Sequence, residues 1–308
     1  MSDLSIWAFR SGNISTIENS DEDSISGRGG LSFCPRQDSL FEVCVESLEA
    51  ARAAEAGGAH RIELCTELSI GGVTPGFGLM RDTIEAPSIP VHVMIRPRGG
   101  NFTYSGDEFE QMRGQIETAK RTGASGIVAG ILHPDGRIDV DRSRALVELA
   151  YPMKATFHRS FDAAPELSEA LESVIQTGAD CLLTAGGEPD VLTGANAIGR
   201  LHKQARDRLQ VMAGGGLRLA NVLEVMRRTG VSYLHGSLTQ WRQNGGAPRW
   251  TASDGVELEG NVREALRLFR QGLANGEVPT DAVRRPSTKG IGMSGSVMRA
   301  IREGASQE

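Results

Sequence analysis

The chain has 308 residues, of which 39% are hydrophobic and 23% are charged, a composition typical of soluble globular proteins. Its net charge of −6 argues against a broad cationic surface for nucleic acid or anionic lipid. The amino terminus lacks a basic segment followed by an apolar run, and no stretch approaches the roughly 18 apolar residues of a membrane span, so we expect neither a secretory signal nor a membrane anchor.

The two ends of the chain differ in composition from its middle. Residues 1–38 are rich in Ser, Gly, Asn and Asp, and residues 276–308 return to Pro, Gly, Ser and Arg. Segments with so few apolar residues cannot bury a core of their own. We therefore predict a disordered extension over 1–38, one folded domain over 39–275 and a flexible tail over 276–308.

Short runs of apolar, β-branched residues recur along the middle segment at intervals of roughly 20 to 40 residues. Each run is apolar on both faces, as expected for a strand that is buried on both sides. Amphipathic helical patterns separate the runs, and three of these helices end in Thr-Gly, where glycine readily adopts the left-handed cap conformation. The predicted strands begin near Leu40, Arg61, Pro90, Gly126, Lys154, Cys181, Leu209 and Ser232.

Eight strand–helix units predict an α/β protein with a single (β/α)8 TIM barrel. A doubly wound open sheet is the alternative, but it usually carries a glycine fingerprint after its first strand. Here the first strand is followed by Glu46-Ser47-Leu48. Because the active sites of TIM barrels lie at the carboxyl ends of the strands, polar residues near those ends are the candidates for chemistry.

Acids and thiols occupy matching positions of the first two predicted strands. Glu42 and Cys44 share one face of the first strand. Glu63 and Cys65 share one face of the second. If these faces point inward, the acids are costly to bury unless they are paired. They either serve a functional site or form a structural ion network with Arg61, Arg96, Arg98 or Arg159.

Cys44 and Cys65 allow two interpretations. Most unpaired cysteines are ordinary buried residues. Yet thiols at equivalent positions of neighbouring strands lie about one strand spacing apart, and two soft thiolates suit a linear Cu(I) site. The irregular spacing of the four cysteines predicts no disulfide framework in a chain of this length, so we expect a reducing, cytoplasmic compartment.

Two histidines and an aspartate complete the candidates for acid–base catalysis. We place His92 in the middle of the third predicted strand and His158 in the middle of the fifth, both beside arginines. Each is either a satisfied structural histidine or a general base or ligand. Asp162 follows the fifth strand closely. Together with Glu42 and Glu63, these three residues are the candidate catalytic set.

Two segments at strand ends suit an anionic ligand. Arg96 and Arg98 follow the third strand, and arginine forks suit carboxylate or phosphate groups. Gly214, Gly215 and Gly216 follow the seventh strand before a helix, where exposed amides suit a phosphate. The alternatives are a solvated turn for the arginines and a tightly packed turn for the glycines.

Several of these segments together resemble the CutC family of copper homeostasis proteins. The resemblance runs from about Phe41 to Ser237, and it implies a barrel, a cytosolic setting and copper handling with Cys44 and Cys65 as Cu(I) ligands. Residues common in the family are replaced here by Asn101, Ser160 and Ala185. The matching stretches are Phe41-Glu42-Val43-Cys44, Arg61-Ile62-Glu63-Leu64-Cys65, Gly71-Gly72-Val73-Thr74-Pro75, Pro90-Val91-His92, residues 96–104, Thr156-Phe157-His158-Arg159-Ser160-Phe161-Asp162 and Leu183-Thr184-Ala185-Gly186-Gly187.

Three functional hypotheses follow. The first is a cytoplasmic CutC-type protein for copper homeostasis, which binds Cu(I) through Cys44 and Cys65. The second is a TIM-barrel enzyme that acts on a small anionic metabolite such as a phosphate ester. In that enzyme Glu42, Glu63 or His158 performs acid–base work, and the two arginines and the glycine turn hold the anion. The third is a non-catalytic binding scaffold, with a homodimer as one form.

Overall fold

The structure is a computed structural model that describes residues 39–238 and 252–277. Within these ranges, eight parallel strands form a closed barrel in the order of the sequence, and the first strand pairs with the last. This confirms the predicted TIM barrel and excludes the open sheet. The strands are Leu40–Val45 (β1), Arg61–Leu64 (β2), Val91–Met94 (β3), Gly126–Ala129 (β4), Lys154–Phe157 (β5), Cys181–Thr184 (β6), Gln210–Gly214 (β7) and Tyr233–Gly236 (β8).

Helices alternate with the strands and pack against one another around the barrel. Two short 3₁₀ turns, Leu68–Ile70 and Arg159–Ala163, lie after β2 and β5. The α-helices of the described residues are Leu48–Ala56 (α1), Phe77–Glu85 (α2), Gly106–Thr122 (α3), Val140–Ala150 (α4), Leu167–Thr177 (α5), Ala195–Ala205 (α6), Val222–Thr229 (α7) and Ala252–Ala274 (α8).

The helix-terminating glycines adopt the predicted conformation. Gly123, Gly178 and Gly230 have φ angles of 92°, 82° and 70°, and each donates its amide to a carbonyl of the last helical turn. An L-residue with a side chain rarely adopts this left-handed conformation, whereas glycine does so without strain. The Thr-Gly pairs therefore fix where α3, α5 and α7 end and the next strand begins.

The main hydrophobic layer lies between the barrel and the helices. Phe41, Val43 and Ile62 are fully buried in this layer. Phe41 of β1 contacts Phe269 of α8 with the ring centroids 5.7 Å apart, and burying a side chain of this size contributes roughly 1.5–3 kcal/mol. Because successive side chains of a strand point to opposite faces, the alternate residues of β1 and β2 point into the barrel. Those residues include Glu42, Cys44 and Glu63, and Cys65 directly follows β2 on the same alternation.

The predicted terminal segments lie almost entirely outside the described residues. Residues 1–38 and 278–308 fall outside, whereas Gly276 and Glu277 follow the end of α8. Among the helices that the structure describes, none is both long and apolar enough to span a membrane.

Candidate functional site

Two thiols and a carboxyl group meet inside the barrel. The Sγ atoms of Cys44 and Cys65 are 3.5 Å apart, and the Cys44 thiol donates a hydrogen bond of 3.2 Å to Glu63 Oε1. The strand register explains this contact, because Cys44 of β1 is paired with Glu63 of β2 and Cys65 directly follows β2. One ligand atom from each of these residues lies within 4.8 Å of the other two. This spacing is compatible with a shared metal ion.

The thiol cluster is almost completely shielded from water. Cys44 is 3% exposed and Cys65 is fully buried. The hydrogen bond with Cys65 and burial both raise the pKa of Cys44 well above its usual value. Burial also raises the pKa of Glu63. Without a metal, the Cys44 thiol therefore stays protonated near neutral pH, and a bound metal must displace its proton.

The surroundings of the sulfur atoms suit a soft metal. The side chains of Met94 and Val128 belong to the same buried cluster as the two thiols. A metal bonded to both sulfurs at about 2.3 Å, as in zinc thiolates, requires a sulfur separation of about 4.6 Å for linear coordination. The observed 3.5 Å is too short for the linear arrangement expected from the sequence and corresponds to a bent one. Glu63 Oε2 has no hydrogen-bond partner among the described residues, so Glu63 is available as a third ligand.

A second polar cluster surrounds Glu42. Its carboxylate forms a buried ion pair with Arg61 and accepts a hydrogen bond of 2.8 Å from His235 Nδ1. Burial by itself raises the pKa of Glu42, but Arg61 and His235 outweigh burial and hold this pKa well below its usual value. Burial lowers the pKa of His235, while Glu63 and Glu42 raise it more, so the net shift is upward. The sequence left open whether Glu42 serves a functional site or pairs with an arginine, and the structure shows the pair with Arg61.

Sequence reasoning did not single out His235 as a partner of Glu42. The two residues are 193 positions apart, and they meet because β8 closes the barrel against β1 with His235 paired to Glu42. The position of His235 in the last strand is visible in the sequence, but the closure and the register are needed to identify its partner.

Both candidate catalytic histidines are buried and neutral at physiological pH. Burial first, and the charge of Arg61 second, lower the pKa of His92 to about 3. Burial and then Arg96 lower the pKa of His158 to about 3. A general base works best with a pKa near the operating pH. The predicted role of these histidines as bases stays a prediction, and these pKa values disfavour it.

The two predicted anion-binding arginines have different partners. Arg98 forms an ion pair with Glu108, and it also donates to Asn101 Oδ1 over 3.2 Å. Arg96 donates instead to the carbonyl oxygens of the loops around it, at 2.9–3.0 Å. The charge of Arg98 is therefore compensated within the chain, whereas Arg96 binds only neutral acceptors among the described residues.

Asp162 organises the loop after β6. Its carboxylate accepts hydrogen bonds from the hydroxyl of Thr184 and the amides of Ala185 and Gly187, and it forms an ion pair with Arg159 at 2.8 Å. These partners saturate the carboxylate. The structure thus gives Asp162 a role in holding this loop, and its catalytic role stays a prediction.

The glycine turn after β7 is tightly packed on one side. Gly215 and Gly216 have φ angles of +102° and +75°, which glycine adopts without strain. A Cβ on Gly215 would lie 2.8 Å from Cζ of Arg159, so this guanidinium lies directly against the turn. Phosphate binding at Gly214, Gly215 and Gly216 stays a prediction.

The chain is similar to CutC proteins in sequence and in structure. The CutC family model matches residues 39–240. A CutC family protein from Chromobacterium violaceum is 38% identical over 266 residues, which are 86% of this chain and 98% of the relative. The human copper homeostasis protein cutC homolog is 43% identical over 206 residues, 67% of this chain and 76% of the relative. The crystal structure of CutC from Streptococcus agalactiae aligns with a TM-score of 0.62 at 30% identity, over 65% of this chain and all of that chain.

Proposed function

The chain belongs to the CutC family, and we propose that it acts in copper homeostasis in the cytoplasm by binding Cu(I) through Cys44 and Cys65. The observation that carries this proposal is the pair of buried thiols with their sulfur atoms 3.5 Å apart. Thiolates are soft ligands and select Cu(I) over harder cations. The copper ion is the cargo of such a protein.

The neighbouring residues support this role chemically. The Cys44 thiol already donates to Glu63, so a carboxylate oxygen lies next to the proton that metal binding displaces. The apolar side chains of Met94 and Val128 keep water away from the sulfur atoms. Exclusion of water protects Cu(I) and the thiols from competing reactions.

Replacing both cysteines tests the proposal. We expect the Cys44→Ser/Cys65→Ser variant to bind Cu(I) at least about tenfold more weakly than the wild type, because serine oxygen is a poor ligand for a soft ion. The measurement is an anaerobic titration of the full chain with Cu(I) against a strong competing chelator. Native mass spectrometry of the same samples counts bound copper and subunits, and we expect one Cu(I) per wild-type chain.

Cys181→Ser is the matched control. Cys181 is also buried, but it packs with Leu183 and Met212 rather than with another thiol. This variant should bind Cu(I) as the wild type does. Equal affinities of the wild type and the double variant, or a comparable loss in the control, would rule out a site at Cys44 and Cys65.

A further inference from the structure

Arg96 is a buried cation without an acidic partner. It follows β3 and is 3% exposed, yet no carboxylate of the described residues lies within 4.0 Å of its guanidinium nitrogens. Arg61, the other deeply buried arginine of the barrel, is paired with Glu42. An unpaired buried charge is strongly unfavourable, so the burial of Arg96 favours a compensating anion that the described residues do not supply.

The guanidinium also has hydrogen-bonding capacity to spare. Nη1 donates to the carbonyl oxygens of Ile70 and Gly72, and Nη2 donates to Gly100. Nε is buried and has no partner among the described residues. Arg96 is therefore held in position by three neutral acceptors, and two of its five N–H groups, on Nε and Nη2, are not used by these bonds.

His158 supplies a second available donor. Its Nδ1 accepts the backbone N–H of Ser160 at 3.2 Å, so in the neutral ring the proton must be on Nε2. His158 is 4% exposed, and its Nε2 has no partner among the described residues. The local backbone thus fixes the tautomer that donates from Nε2. Such a histidine acts as a neutral hydrogen-bond donor rather than as a base.

Both donors lie next to one aromatic ring. The guanidinium carbon of Arg96 lies 4.7 Å from the centroid of the Phe102 ring, and the ring of His158 lies 5.1 Å from the same ring. The hydroxyl group of Ser160 is likewise buried and without a partner in the described part of the chain. The hydroxyl group of Tyr104 is buried close to Arg96, whose charge and hydrogen bond oppose the rise in the pKa of Tyr104 that burial causes. This side of the barrel mouth therefore has an excess of donors and one uncompensated positive charge.

We propose that the carboxyl ends of β3 and β5 form a binding site for a small oxyanion, in which Arg96 and His158 donate hydrogen bonds to its oxygen atoms. The ligand is the carboxylate or phosphate group of a small molecule, because both present charged oxygens to clustered donors. Phe102 is only partly buried and lies close to both donors. The proposal concerns side chains other than the thiols, and it holds whether or not the protein binds copper.

Arg98 does not contribute to this site. Its charge is compensated by Glu108, and its guanidinium is directed to the loop carbonyl of Thr103 and to the side chain of Asn101. The sequence motif with two arginines around Pro97 therefore divides into one arginine that stabilises the loop and one that remains unpaired.

Anion titrations of the full chain test the site. The probes are inorganic phosphate and acetate, added at constant ionic strength with chloride as the reference, and binding is followed by calorimetry and by the shift in Tm. We expect saturable binding of at least one probe, weakened by about tenfold or more in His158→Phe, because a hydrogen bond to a charged group is lost. Phenylalanine keeps the aromatic contact with Phe102. Arg96→Met should abolish binding.

Two control variants establish whether the probe binds at this site. His202→Phe makes the same substitution on α6, outside the barrel, and should bind the probe as the wild type does. The Cys44→Ser/Cys65→Ser variant should also keep its anion affinity, so failure of the copper proposal and failure of this one are distinguishable. If Arg96→Met does not fold, the anion affinity of His158→Phe tests the proposal by itself. Absence of saturable binding, or equal affinities of the wild type and His158→Phe, would overturn the proposal.

Discussion

Replacing Arg61 with methionine is expected to lower the free energy of unfolding by about 3–5 kcal/mol, because the change leaves the Glu42 carboxylate buried without its cation. Glu42 is fully buried, and its other hydrogen-bond partner, His235, cannot replace a permanently charged guanidinium. Methionine is also close in size to the aliphatic part of arginine, which limits the packing change. Urea unfolding at pH 7 measures the effect.

A double variant separates the charge effect from packing. In Glu42→Leu/Arg61→Met both charges are removed together, and replacing a whole buried ion pair by apolar residues is often neutral or stabilising. We therefore expect the double variant to recover most of the stability that the single change removes. A loss below about 1 kcal/mol in Arg61→Met would show that the ion pair does not stabilise the barrel in the way that its burial indicates.

Acidification is expected to destabilise the protein through its two neutral barrel histidines. The pKa values of His92 and His158 are about 3 in the folded chain, below the unfolded value of about 6.5. Between these values the unfolded chain binds more protons, so stability falls as the pH decreases below about 6.5. Between pH 7 and pH 4.5, each histidine should lower the free energy of unfolding by about 2 kcal/mol. The pKa of His235 is raised, so its contribution is fully present below about pH 6.5 and is lost as the pH rises.

Comparison of variants isolates the contribution of one histidine. In His158→Phe the loss of stability between pH 7 and pH 4.5 should be smaller than in the wild type by about 2 kcal/mol, because the carboxylates and His235 contribute equally to both proteins. Urea unfolding at several pH values measures the slopes. Parallel curves for the wild type and His158→Phe would contradict a buried neutral His158.

The positions of the strands, the ends of the helices and the residues that share a strand face could be predicted from the sequence. The predicted strand starts at Leu40, Gly126 and Cys181 agree with the structure, and those at Pro90 and Ser232 lie one residue early. Apolar periodicity and helix caps depend on residues that are only a few positions apart, so the sequence of one segment is enough to recognise them. For the same reason, the alternation along β1 predicted Glu42 and Cys44 on one face, and the alternation along β2 into the next residue predicted Glu63 and Cys65 on one face.

The partner of each polar side chain was decided only by the tertiary structure. Closure of β8 onto β1 brings His235 to Glu42, and folding of α3 onto the preceding loop brings Glu108 to Arg98, so one arginine of the motif is neutralised while Arg96 is left unpaired. These pairings depend on the register between strands and on how close two segments lie in space. Local sequence patterns predict neither. Composition and periodicity carry no information about them, because the energy of a buried charge is set by the few groups that lie within a few ångströms of it.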